Sequence, residues 1–293
     1  MRIRMSVRPL VAAAVAVGAL ACASSASAAA PTGQYAPYKY CPYQNTNVIS
    51  CVLSKTTSGE FKLGNATVPI PSGTTLTLQG GFGFSTGFDW YNAANGGQTL
   101  VPTPLKVPGG LIGLVNTGGW SGVLIDLFNA AVASVNDVYA TAELAGPIQF
   151  NYLNFVLGLN DPAIVLPIKV HLTNPFLGSS CYIGSNSNPV TLRLTTGTTA
   201  PPAGVTPLVG STGVISTNEP ESTITTATGV RLVDNTFSVP KASNCGYLLL
   251  DKLIITAGVN LKEGLPSAAG NNRAILQGNS YLADRAAVAA SVQ

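Results

Sequence analysis

The residues predict a mainly β fold: an antiparallel β-sandwich, immunoglobulin-like or related, with one amphipathic helix near 121–139 and a short second helix near 246–257. Three observations carry this. Short runs alternate apolar and polar residues with period two, turn residues separate them, and one segment switches to the helical period. The alternating runs are 74–79, 166–172, 190–194 and 230–233. In the second, Leu166, Ile168, Val170 and Leu172 share a face, as in a half-buried strand. Pro167 inside that run predicts an edge strand or a bulge, because proline brings no N–H to a ladder.

Over 121–139 the apolar residues Val123, Leu124, Leu127, Phe128, Ala131, Val135 and Val138 fall at helical spacing. Asp126, Asn129, Ala133 and Asn136 lie opposite, and Ser121 suits the N-cap. A membrane-surface helix would carry Lys or Arg on that polar face and this one has none. It is therefore expected to pack its apolar side on a sheet or to close one end of the sandwich. The Leu- and Ile-rich stretch 247–256 reads either as a short helix capped by Ser243 or Asn244, or as a buried strand. The Thr-, Pro- and Gly-rich stretch 195–229, centred on Ala200-Pro201-Pro202-Ala203-Gly204, is expected to be a loose surface excursion. One domain is expected over 29–283, with 284–293 as a C-terminal tail.

The first 28 residues read as a signal peptide. Arg2, Arg4 and Arg8 precede an apolar run from Leu10 to Ala21, and Ala26-Ser27-Ala28 supplies the small residues of a cleavage site. The run is too short for a permanent anchor, and the absence of a twin-arginine pair favours the general secretory route. Cys22 is expected to leave with the leader. The chain has 15 Lys+Arg and 12 Asp+Glu; removing the three leader arginines leaves 12 of each. A formally neutral protein offers no basic field for nucleic acid. Charged residues are only 9% of the chain, so much of the surface is built from neutral polar groups.

Cys41, Cys51, Cys181 and Cys245 remain, and an even number in an exported chain reads as two disulfides. Of the three possible pairings, Cys41–Cys51 with Cys181–Cys245 is favoured, since the first two flank a short turn near 42–47. Their spacing is not that of a zinc site.

No catalytic residue, metal ligand or cofactor is assigned. Gly83-Phe84-Ser85-Thr86-Gly87 matches the G-x-S-x-G elbow, and Asp126, Asp137 or Asp161 followed by His171 keeps the chain order of such hydrolases. The elbow needs a strand turning into a helix, and no helical pattern follows here. A glycosidase pair from Glu60 and Asp89 would need a shared cleft, and Glu219 and Glu221 read as solvated. Aromatic residues are the better lead. Tyr35, Tyr38, Tyr40 and Tyr43 cluster near the expected mature N-terminus, and Phe82, Phe84, Phe88, Trp90 and Tyr91 lie in a Gly-rich stretch. Phe84, Trp90 and Tyr91 are the candidate ligand-facing aromatics, and an envelope glycan or lipid is the candidate partner. The expected function is a non-enzymatic binding, adhesion or structural domain, secreted or associated with the cell envelope. A membrane-inserting β-barrel is the alternative and an extracellular serine hydrolase the third reading.

Two stretches carry a resemblance: Gly178-Ser179-Ser180-Cys181-Tyr182-Ile183-Gly184-Ser185 with Asn188-Pro189-Val190-Thr191-Leu192-Arg193-Leu194-Thr195-Thr196-Gly197-Thr198-Thr199, and Gly264-Leu265-Pro266-Ser267-Ala268-Ala269-Gly270-Asn271-Asn272. From about Leu177 onward the chain resembles exported proteins of high-GC Gram-positive bacteria (actinobacteria) with no assigned activity. The resemblance contains Cys181 and Cys245, in agreement with their pairing, and implies an exported location without catalytic residues.

Overall fold

The structure is a computed structural model and describes residues 29–84, 87–114, 118–119, 121–132 and 135–293. The expected signal peptide lies outside the described residues. After a 3-10 turn at Gly33–Tyr38 come β1 (Ser50–Leu63), β2 (Ala66–Ile70), β3 (Leu76–Gly83), β4 (Asp89–Asn92) and β5 (Leu105–Lys106). Next are α1 (Gly110–Leu114), α2 (Gly122–Val132), β6 (Tyr139–Leu144), β7 (Gln149–Phe150), α3 (Tyr152–Leu157) and β8 (Ile164–Thr173). Then come β9 (Tyr182–Ile183), β10 (Val190–Leu194), β11 (Val214–Thr217), β12 (Ile224–Asp234) and β13 (Ala242–Ser243). The chain finishes with α4 (Leu249–Glu263), β14 (Arg273–Asp284) and α5 (Arg285–Ala290).

The strands form two antiparallel sheets of seven, the β-sandwich the sequence predicts; neither sheet closes into a barrel. One runs β11-β12-β14-β1-β3-β4, with β2 also on β1; the other runs β13-β9-β8-β6-β5, with β10 and β7 also on β8. Alternation fixes which residues face inward. On β8, Ile164, Leu166, Ile168, Val170 and Leu172 are all buried, while Val165, Lys169 and His171 point to the other face and are half-buried. They share one core with Val52, Leu78, Val230, Leu232, Leu276 and Leu282 of the opposite sheet.

Pro167 does not mark an edge. It sits in a central strand, opposite Thr191 of β10, where the pairing on the other side passes from β7 to β6. The β6–β7 connection crosses there, and the Pro167 carbonyl accepts the Ala145 N–H at 2.9 Å. The missing donor thus falls in a gap that the ladder already has.

The first sheet bends at one level. Gly278 of β14 pairs with Thr56 on one side and Val230 on the other, and an extra residue, Thr57 or Gly229, is inserted in each neighbour. Gly229 takes φ 73°, and a Cβ on Gly278 would stand 1.9 Å from the Lys55 carbonyl oxygen. A second small core lies on the outside of this sheet, where Tyr38, Tyr43 and Val48 meet Leu53 and Val288 of α5. The Cys41–Cys51 disulfide fastens that layer, and Cys181–Cys245 ties β9 to the approach to α4. This is the favoured pairing, and two disulfides mark an oxidising environment.

The sheets meet along one side. Beyond β10, Thr195 exchanges two backbone hydrogen bonds of 3.0 Å with Val233 of β12. Asp234 is fully buried at this corner. Its carboxylate accepts the Arg193 N–H, and at 2.8 Å both the N–H and the hydroxyl of Thr236. Burial raises its pKa, and these donors oppose the rise. In the Thr-rich stretch that follows, Thr195, Thr196 and Thr199 are buried and donate to Leu159 O, Phe155 O and Asn235 Oδ1. Asp234→Ala leaves several part-buried donors without an acceptor and is expected to cost about 3 kcal/mol, with Asp234→Asn costing less. Urea unfolding measures both, and equal losses would contradict the role given to the carboxylate.

Candidate functional site

α4 packs Ile255 and Val259 on the main core and is tied down along one flank by polar groups. Thr256 and Asn260, one turn apart, face the protein. Thr256 Oγ1 accepts the Cys245 N–H at 3.0 Å, while Asn260 accepts the Ala242 N–H at 2.7 Å and donates to the Ala242 carbonyl at 3.0 Å. Gly258 and Val259 are buried, and Ile255 packs against the main core. On the side turned away from Ile255 and Val259, Leu253 and Leu261 are 66% and 69% exposed, with Ile254 and Ala257 also exposed. Leu248 and Tyr247, just before the helix, are exposed too.

Two other helices extend this surface, for α1 touches both α4 and α2. α1 is anchored by buried Leu111 and Leu114 and by Asn136, whose carbonyl and side-chain oxygens accept the N–H groups of Leu111 and Ile112 at 2.7 and 2.9 Å. Ile112 is exposed. The expected Ser121 cap is present, accepting the Leu124 N–H. α2, however, ends at Val132, and Val138 leads into β6 instead of continuing the helix. Among its described side chains, Val123, Leu124 and Leu127 are exposed rather than in the core, and Ile125 is half-buried. The reason is position, since α2 stands at one end beside α1 rather than on a sheet face. Ala133 lies outside the described residues.

Charge is unevenly spread over this end, sparse on α1 and α2 and ordinary on α4. Asp126 is the sole ionisable residue between 110 and 132, and 247–263 contains Asp251, Lys252, Lys262 and Glu263. A groove of about 740 Å³ runs along α4 towards β13, and Lys241, Lys252, Leu253, Ala257, Leu261 and Leu265 are among its walls. On the far side, Glu263 is buried in a separate pocket of about 390 Å³ with Asn65, Val107 and Gly113. Desolvation pushes its carboxyl up from 4.5 to about 7, against a smaller lowering by Lys262.

The sequence-predicted residues do not converge. Phe84 is exposed and meets Phe88 edge-on at 4.7 Å. Trp90 is half-buried against the main core and lies 6.0 Å from Phe150, whereas Tyr91 turns to the outer core beside Val48. Adjacent strand residues must take opposite faces. Tyr38 and Tyr43 are buried, and burial raises the Tyr38 phenol pKa. Ser85 lies outside the described residues, and β3 is followed by β4 rather than by the helix an elbow requires. His171 is half-buried, stacked on Tyr182 at 4.5 Å, and its Nδ1 lies 3.5 Å from Glu143 rather than beside one of the candidate aspartates. Glu60 pairs with Arg273. The registers put Asp89 near the Ser50 end of β1, which is roughly 30 Å along the strand from Glu60, far beyond a glycosidase pair. Between the sheets, a cavity of about 60 Å³ walled by Leu78, Leu166, Leu192 and Leu232 has few polar groups to orient a ligand.

No protein-family model matches the chain, and no curated protein or solved structure is significantly similar to it.

Because Glu263 binds its proton more tightly in the folded protein than in the unfolded chain, its contribution to stability is complete below about pH 4.5 and is lost as pH rises through 7. Glu263→Gln should flatten this slope and gain up to about 3 kcal/mol at pH 8. Denaturation midpoints across pH 4 to 8 read this out. Parallel curves for the two proteins would place the carboxyl in water.

Proposed function

We propose that this is an exported, non-enzymatic binding domain that rests on a lipid surface of the cell envelope through α1, α2 and α4. The observation that carries the reading is the outer stripe of α4, where Leu253, Ile254 and Leu261 are exposed while Ile255, Val259, Thr256 and Asn260 hold the helix to the fold. Contiguous apolar surface of this kind marks an interaction site. Its composition favours hydrocarbon over a protein partner. Among the described residues the face is Leu, Ile and Val with one tyrosine, and it lacks the arginine that protein interfaces favour. Among the described residues no helix is long and apolar enough to cross a membrane, so contact would be made at the interface. The disulfides agree with work outside the reducing cytoplasm.

The protein is expected to co-sediment with phospholipid vesicles. Replacing Leu253 and Leu261 together by Asn should weaken partitioning at least tenfold while leaving the melting temperature nearly unchanged, because neither side chain is in the core. Wild-type protein that stays in the supernatant and forms a dimer would assign the face to a second copy. Unchanged binding by the double variant would move the contact elsewhere.

A further inference from the structure

We infer that the groove between α4 and β13 seats the headgroup of an anionic lipid, which gives the proposed lipid contact a preference for negatively charged membranes. The inference rests on the lipid-surface reading above. Its independent observation is the charge of the groove walls. Lys241 and Lys252 stand on the groove of about 740 Å³, no carboxylate is among its wall residues, and neither lysine forms an ion pair among the described residues. The nearby acid Glu263 opens instead into the pocket shared with Asn65 and Gly113. Thr256 and Asn260, although they border the groove, are engaged with the backbone at Cys245 and Ala242. Ser243 and Asn244 add neutral polar groups, so the charge that the described walls turn towards a ligand is cationic.

The apolar part of the same groove is continuous with the exposed face. Leu253 and Leu261 belong to both, with Ala257 one turn from each. A molecule lying here meets hydrocarbon along α4 and ammonium groups at Lys241 and Lys252. That pairing fits an amphiphile with an anionic head. A soluble anion would gain nothing from the leucines, and a neutral lipid would gain little from the lysines. The site lies where helices resting on a membrane would bring it to headgroup depth, so the bilayer is the source of the ligand.

The test compares binding to vesicles of pure phosphatidylcholine and of phosphatidylcholine mixed with phosphatidylglycerol. Wild-type protein should bind the mixed vesicles roughly tenfold more tightly. Lys241→Gln with Lys252→Gln should retain binding to phosphatidylcholine and lose the preference. Lys55→Gln, on a strand of the first sheet away from the helices, should keep it. Equal wild-type binding to both vesicle types overturns the headgroup site and leaves the lipid reading standing. Loss of preference in Lys55→Gln as great as in the double variant also overturns it, since a diffuse field would then be responsible. Absence of binding to either vesicle removes the lipid reading beneath it.

Discussion

The contact between the inner faces of the two sheets governs what the rest of the chain is free to do. Ile164, Leu166, Ile168, Val170 and Leu172 come from β8 alone, and with Leu192 and Leu194 of β10 they meet Val52, Leu78, Leu232, Leu276 and Leu282 in one core. Each such side chain removed from water contributes about 2 kcal/mol before entropy is counted. This contact requires β8 to be central and β1 and β14 to pair along most of their length. It also requires the sheets to come together at β10 and β12, where the buried Asp234 carboxylate accepts part-buried backbone donors.

Strands supply most of that core, and the helices at one end add only Leu111 and Leu114 of α1 and Val259 of α4 to it, with Ile255 packed alongside. They are held by a few anchors: Leu111, Leu114 and Val259 by burial, and Asn136, Thr256 and Asn260 by hydrogen bonds to backbone. Polar anchoring leaves the leucines of α4 on the outside. A fold that needed only a stable sandwich would gain from polar residues at Leu253 and Leu261. Their placement makes sense if the outer surface is dry during function, and the scarcity of charge on α1 and α2 points the same way.

Where alternation was strict, the sequence was easy to read. β8 and β10 follow from their apolar positions, and the opposite facing of Trp90 and Tyr91 follows from their adjacency. The two central strands of the first sheet were hidden for a physical reason. β1 has Ser54 and Thr56 in line with Val52, and the inserted Thr57 shifts its parity. In β14, Gly278 and Ser280 interrupt the apolar series. Helical spacing located α2, but spacing reveals an apolar side and not whether anything covers it. A signal for the exposed end did exist. Thr256 and Asn260 lie four residues apart in the uncharged stretch 253–261, and two polar groups on one stripe can be an inward anchor as well as an outward face. The buried threonines near 195–199 gave no such sign, since composition does not separate solvated hydroxyls from bonded ones.

Amide hydrogen exchange with and without phospholipid vesicles tests the central claim most directly. The account predicts slowed exchange in α1, α2 and α4, with the strands of both sheets and the turn around Phe84 and Phe88 unchanged. Slowing confined to that aromatic turn, or no slowing in the helices while the protein is vesicle-bound, would contradict it.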